Sequence, residues 1–234
     1  MAVSRALSTT HRGTAFEERS LRILEAHLSM SLRRVGGKSD GGIDLLGWWW
    51  LPAPGSHVST VPRRRLRVLA QCKAEKKRMS PKYVREMEGV LHRYLVSSPQ
   101  TSPPTSSLDD ATSPPVKSPV VGLLISESPF TKSTVLRAVS SPIPFFLLHL
   151  PPSSAETSAL GEQDPAVGSE EAPTWTGTAI WNPALGGGTG LLGGEIEARW
   201  EHSLSGSGRP SLWWRNEKLR SWAPEGEMEE LGLI

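Results

Sequence analysis

Gly36-Gly37-Lys38-Ser39-Asp40-Gly41-Gly42-Ile43-Asp44-Leu45, followed 27 residues after Asp44 by Gln71-Cys72-Lys73, is the stretch on which the fold turns. The glycine pairs bracket a turn. Beyond it, Ile43–Leu51 reads as a strand ended by Pro52, and Leu66–Lys73 as its neighbour. Residues 71 and 73 are two apart, so their side chains leave one face of a strand, while Cys72 points the other way as a small core hydrophobe. A carboxylate at one strand's start and a Gln-x-Lys pair on the next can therefore converge. A hard cation such as Mg²⁺ takes carboxylate and carbonyl oxygens, and Asp44 with the Gln71 carbonyl supplies two. Lys73 would then orient a water or neutralise developing charge.

Outward from this pair, helix and strand signals alternate. Thr14 followed by Glu17 has the form of a capping box, with Phe16, Ile23, Leu24, His27 and Leu28 on one helical face to about Met30. Leu32–Val35 reads as a strand closed by Gly36-Gly37. Ser80-Pro81 opens a helix with Val84, Met87, Leu91 and Tyr94 as its stripe. Val120–Ser126 is a buried-type strand, Thr131–Ser140 a short helix and Phe145–Leu150 a further strand. This alternation predicts an α/β class with a central mixed sheet flanked by helices. Residues 97–119 hold sixteen Ser, Thr or Pro in 23 positions, and 151–174 hold five acids and no base. Both read as low-complexity insertions. The expected organisation is a targeting segment at 1–13, a core at 14–150 interrupted at 97–119, and an acidic linker at 151–174. A Trp-rich, hairpin-like addition at 175–234 packs on that core.

The chain has 234 residues and one cysteine, Cys72, which excludes an internal disulfide and a cysteine zinc cluster. No apolar run reaches the roughly 18 residues of a membrane span. A formal net charge of +2 hides an uneven distribution. Residues 61–100 carry eleven Lys or Arg against three acids, a local excess of eight that suits a polyanion partner. Arg63, Arg64, Arg65, Lys76, Lys77 and Arg78 are the candidate nucleic-acid contacts, with a solvated basic face as the alternative. The first sixteen residues carry Arg5, His11, Arg12, five Ser or Thr and no acid, the composition of a mitochondrial transit segment.

The glycine-flanked Asp44 and the Gln71-Cys72-Lys73 tripeptide resemble the Mrr-type branch of the restriction-endonuclease-like, PD-(D/E)xK, nucleases. Phe16-Glu17 is similar to that branch's helical acid, and Val121–Ser126 with Pro129-Phe130-Thr131 to its later strand and helix. More narrowly, the chain resembles fungal mitochondrial proteins required for respiratory growth that carry this core. The resemblance implies a restriction-endonuclease-like sheet and Mg²⁺- or Mn²⁺-dependent phosphodiester hydrolysis of DNA, rather than RNA, on the matrix side of mitochondria. It makes Asp44 a metal ligand, Gln71 a partial ligand, Lys73 the charge-stabilising group and Glu17 an accessory acid. Gln71 departs from the pattern, because most of the superfamily has a second acid there. A catalytically silent nucleic-acid-binding or maintenance factor is therefore the alternative, and a scaffold docking partners through 97–119 is a third reading.

Each residue also has a plainer role. Asp44 could end a turn in water, Lys73 could belong to the solvated run to Arg78, Glu17 could cap its helix, and Asp40 reads as a turn residue. Trp48-Trp49-Trp50 could stack on bases, but a strand within a sheet buries such residues. Gly188-Thr189-Gly190-Leu191-Leu192-Gly193 matches G-x-G-x-x-G, yet Gly193-Gly194 stops any helix at once, so it reads as a turn.

Overall fold

The computed structural model describes residues 9–35, 41–53, 63–97, 118–152, 177–202 and 208–224. The Gly36-Gly37 turn, Asp40 and nearly all of the two low-complexity stretches lie outside them. The elements in chain order are α1 (Thr9–Leu28), β1 (Met30–Arg34), β2 (Leu45–Leu51), β3 (Arg64–Lys73) and α2 (Lys82–Ser97). They continue with β4 (Val120–Ser126), α3 (Lys132–Val139), β5 (Phe145–His149), β6 (Thr178–Trp181) and α4 (Pro183–Gly186). β7 (Ile196–His202), β8 (Gly208–Trp214) and β9 (Glu217–Lys218) complete the fold.

One six-stranded mixed sheet runs β1-β2-β3-β4-β5-β6, and a second, antiparallel sheet runs β7-β8-β9. β1, β2 and β3 form an antiparallel meander, β4 and β5 join in parallel, and β6 returns antiparallel. The parallel joins need crossovers, which α2 and α3 supply. Alternation then divides the core. Leu66, Val68, Ala70 and Cys72 of β3 pack with Phe16, Leu24 and Leu28 of α1 and with Leu212 and Trp214 of β8. Leu69 instead joins Val84, Met87 and Leu91 of α2 on the opposite face. The second sheet thus packs on the α1 side.

Buried aromatic rings tie β2 to the far strands. Trp49 stacks on Phe146 at 5.8 Å and 14°, and both touch Trp181. Such pairs add about 0.5–1.5 kcal/mol each beyond burial. Trp49 and Trp50 are core residues, whereas Trp48 is half-buried. Gly47 is obligatory: a Cβ there would stand 2.1 Å from the Ser31 carbonyl oxygen of β1.

Three local expectations change. α1 begins at Thr9, so Thr14 lies inside the helix rather than capping it, and residues 9–13 are helical rather than separate from the core. The Glu17 carboxylate reaches Arg34 of β1 at 2.7 Å instead of its own helix start. The helix ends at Leu28, where Ser29 turns the chain with φ 54° and Met30 opens β1. β6 and α4 were not anticipated. Asn182 fixes both, accepting from the Phe145 and Leu185 N–H groups and donating to the Ala138, Ser141 and Ile143 carbonyls. The glycine-rich Gly188–Gly193 run is a succession of turns.

Candidate functional site

β2 enters the sheet through Gly41 and Gly42, whose φ values of 67° and 88° lie where L side chains are strained. This entry delivers Asp44 to β3. The Asp44 N–H donates to the Ala70 carbonyl at 2.9 Å, and its Oδ2 accepts from the Cys72 N–H at 2.7 Å. Asp44 is thereby tied to β3 on both sides of Gln71, through its main chain to Ala70 and through its carboxylate to Cys72.

Gln71 is 7% exposed and lines a cleft of about 100 Å³ with Gly41, Gly42, Glu86, Met87 and Val90. Lys73 shares its strand face, as the spacing predicts. Its Nζ stands 5.4 Å from the Tyr83 ring centroid, and the Tyr83 hydroxyl donates to Glu75 at 2.8 Å. Burial, that bond, and the charges of Glu75 and Glu86 push the Tyr83 phenol up to about 12. Cys72 points into the α1-side core. Burial, then the charges of Asp44 and Glu17, hold its thiol well above its usual range, against a bond from Ser20 and the charge of Lys73. So Asp44 and Glu17, from different elements, both throw negative potential on the end of β3.

The structure thus gathers Asp44, Gln71 and Lys73 at one strand end, with Glu17 nearby but engaged at 2.7 Å by Arg34, whose guanidinium also lies 4.0 Å from Glu18. Sequence reasoning missed Glu86. Its signal was available: it sits three residues after Tyr83, beside the apolar stripe of α2. Among the described residues no group of three or more His, Cys, Asp or Glu gathers. The donor chemistry fits Mg²⁺ or Mn²⁺ all the same, since such ions are held by one or two carboxylates and keep waters and phosphate oxygens as their other ligands. Asp44 and Gln71 would hold the ion.

The six predicted basic contacts do not form one surface. Arg63 donates to Ser29 Oγ at 3.2 Å, to the Trp50 carbonyl at 3.3 Å and to the Arg220 carbonyl at 3.2 Å. Arg64 donates to the Leu191 carbonyl. Both guanidiniums hold the second sheet and its connections to the first, and burial lowers the pKa of each. Lys76, Lys77 and Arg78 are exposed at the opposite end of β3, about 30 Å away at roughly 3.3 Å per residue. Arg65 lies between, exposed, over the Trp48 ring.

Fold and site together define a mixed α/β protein with an Asp/Gln-x-Lys cluster at one end of its central sheet. No solved structure matches it. The chain belongs to the family described as required for respiratory growth protein 7, whose model matches residues 8–172. It is 37% identical over 87 residues to an uncharacterized mitochondrial protein of Schizosaccharomyces pombe, covering 37% of this chain and 32% of that one. It is also 37% identical over 94 residues to the mitochondrial required for respiratory growth protein 7 of Eremothecium gossypii, covering 29% of this chain and 39% of that one. The chain spans about a third of the length of these relatives. Both are mitochondrial by name, and the protein is assigned to the mitochondrion, as its N-terminal composition predicts. No helix among the described residues is long and apolar enough to cross a membrane.

Proposed function

We propose that the protein is a metal-dependent phosphodiesterase acting on DNA in mitochondrial genome maintenance, on the matrix side, in support of respiration. The observation that carries this reading is the anchoring of Asp44 beside Gln71 and Lys73 at one end of β3. The α-β-β-β-α-β order, with a meander followed by a parallel strand, supports a restriction-endonuclease-like core. Asp44 and Gln71 would hold Mg²⁺ or Mn²⁺, and the ion would supply a lowered pKa for water and stabilise charge on phosphate oxygens. Lys73 keeps its ammonium at the same end, where it orients water or neutralises the scissile phosphate. Glu17 acts only as an accessory acid, because Arg34 already engages it.

A second reading rests on a specific observation. The acid of the PD-(D/E)xK pattern is replaced by Gln71, and Lys73 sits over the Tyr83 ring. Both features suit a chain that kept the fold to bind nucleic acid without cutting it. The experiment is incubation of the chain with DNA and RNA, with and without Mg²⁺ or Mn²⁺. The nuclease reading expects ion-dependent DNA cleavage that disappears in Asp44→Asn. DNA binding with no cleavage under either ion establishes the second reading.

A further inference from the structure

Beyond the strand end that carries Gln71 and Lys73, the same face of the sheet bears a second constellation. Arg65 and Arg67 share their parity on β3 with Gln71 and Lys73. Trp48 pairs with Arg67 and Ser31, and Arg33 pairs with Leu46, so Arg33, Trp48, Arg65 and Arg67 lie together on β1, β2 and β3. α2 covers the middle of this face, where Leu69 packs under Val84, Met87 and Leu91, and its Tyr94 reaches Arg67. The Arg65 and Arg67 guanidiniums stand 4.5 Å and 4.8 Å from the Trp48 ring centroid.

The charges here are not balanced from within. Arg67 is 4% exposed, yet its Nε has no hydrogen-bond acceptor among the described residues, and neither does Arg33 Nε or Trp48 Nε1. Tyr94 bonds Arg67, but the formal charges acting on it are those of Arg33 and Arg65, both positive. Buried donors without acceptors, amid like charge, mark a place for an anion. At the far end, Trp222 is 45% exposed and meets Trp50 edge-on at 5.9 Å.

We propose that the open part of this face is a track for single-stranded DNA, running from Trp222 and Trp50 across Trp48 and Arg65 to Arg33 and Arg67, where α2 closes it. The choice of DNA rests on the function proposed above; the choice of a single strand does not. Guanidinium planes and an exposed indole offer stacking surfaces to unpaired bases, and the recessed Arg67 is reached by a splayed strand rather than by a rigid duplex.

The test is fluorescence anisotropy of the whole chain with a labelled twelve-nucleotide single strand in EDTA, so that cleavage plays no part. The same titration uses the duplex of that sequence, and a flotation assay uses vesicles of phosphatidylcholine with one-fifth phosphatidylserine. Arg33→Gln/Arg65→Gln is expected to weaken single-strand binding at least tenfold and to lower the salt slope by about 1.4. Trp222→Ala is expected to weaken it severalfold with the salt slope kept. Arg65 and Trp222 are exposed, and matching circular dichroism checks the fold. Unchanged affinity in the double-arginine variant overturns the track. So does tighter binding of the duplex, or vesicle binding that the same substitutions abolish while DNA binding persists. Cleavage is read separately: its absence with intact single-strand binding removes the nuclease function and leaves the track standing.

Discussion

The two ends of β3 carry similar cations and put them to different uses. At the start, Arg63 and Arg64 are spent on backbone carbonyls and a serine hydroxyl, and they fasten the second sheet to the first. At the finish, Lys73 shares a strand end with the anchored Asp44, and Lys77 and Arg78 face solvent. The difference lies in the acceptors. The start of β3 meets backbone carbonyls at Trp50, Leu191 and Arg220, which accept from the two guanidiniums. The finish meets carboxylates and a small cleft. A cation becomes a staple or a site group according to what its strand end faces.

The comparison is broken most sharply at Lys73 and Asp44. Lys73→Ala and Asp44→Asn are each expected to lower ion-dependent cleavage at least about 100-fold while leaving the melting temperature within a few degrees. Equal losses of cleavage from Arg63→Ala, measured on the folded fraction, would erase the distinction between the ends. Arg63→Ala is instead expected to cost roughly 1–3 kcal/mol of stability, because it removes hydrogen bonds to two carbonyls and a hydroxyl. Denaturant titration reads this directly, and a shift below about 0.5 kcal/mol would show that the staple is ornamental.

Gln71 sharpens the comparison further. It faces a cleft that Glu86 also lines. Gln71→Glu places two carboxylates together, so the ion-free protein is expected to lose about 1 kcal/mol through like-charge repulsion. Mn²⁺ then restores that stability and binds about tenfold more tightly than to the wild type. An unchanged Mn²⁺ dissociation constant means that residue 71 does not face the ion. The cleavage rate can move either way, since a tighter ground state does not by itself accelerate chemistry.

Much of this arrangement is legible in the chain. Val120–Ser126 is read to the residue because a parallel strand buried on both faces is continuously apolar. The shared face of Gln71 and Lys73, and the burial of Cys72, follow from strand alternation alone. The start of α1 is not legible, since Thr9-Thr10-His11-Arg12-Gly13 carries no apolar periodicity and Thr14 mimics a cap. β6 is a short, half-exposed edge strand with little alternation, and it escapes for that reason. The fate of the basic run is the least legible feature. Arg64 and Arg63 find their acceptors 127 and 157 residues away, at backbone carbonyls that every residue possesses.

The smallest expected effect concerns pH, which should act unequally on the two ends. His149 lies on the Lys73 side of the sheet, because Lys73 pairs with Ser126 and Ser126 with His149. It is 4% exposed, and its Nε2 has no hydrogen-bond partner among the described residues. Burial lowers its pKa below 6.5, Arg19 lowers it further, and a backbone bond at Glu127 acts in the opposite direction. The folded protein therefore holds His149 neutral where the unfolded chain already binds a proton. Stability is full above pH 6.5 and falls as the pH drops from there toward the folded value, with a slope of at most about 1.4 kcal/mol per pH unit. His27, beside the Arg63 staple, is lowered by burial and by Arg209 and Lys218, so it contributes a slope of the same sign. It is only half-buried, which makes its share the smaller. Urea midpoints between pH 5 and 7 are expected to flatten in His149→Gln and to change little in His27→Gln. The reverse result would place the acid sensitivity of the fold at the stapled end of β3 rather than at the end that carries the site.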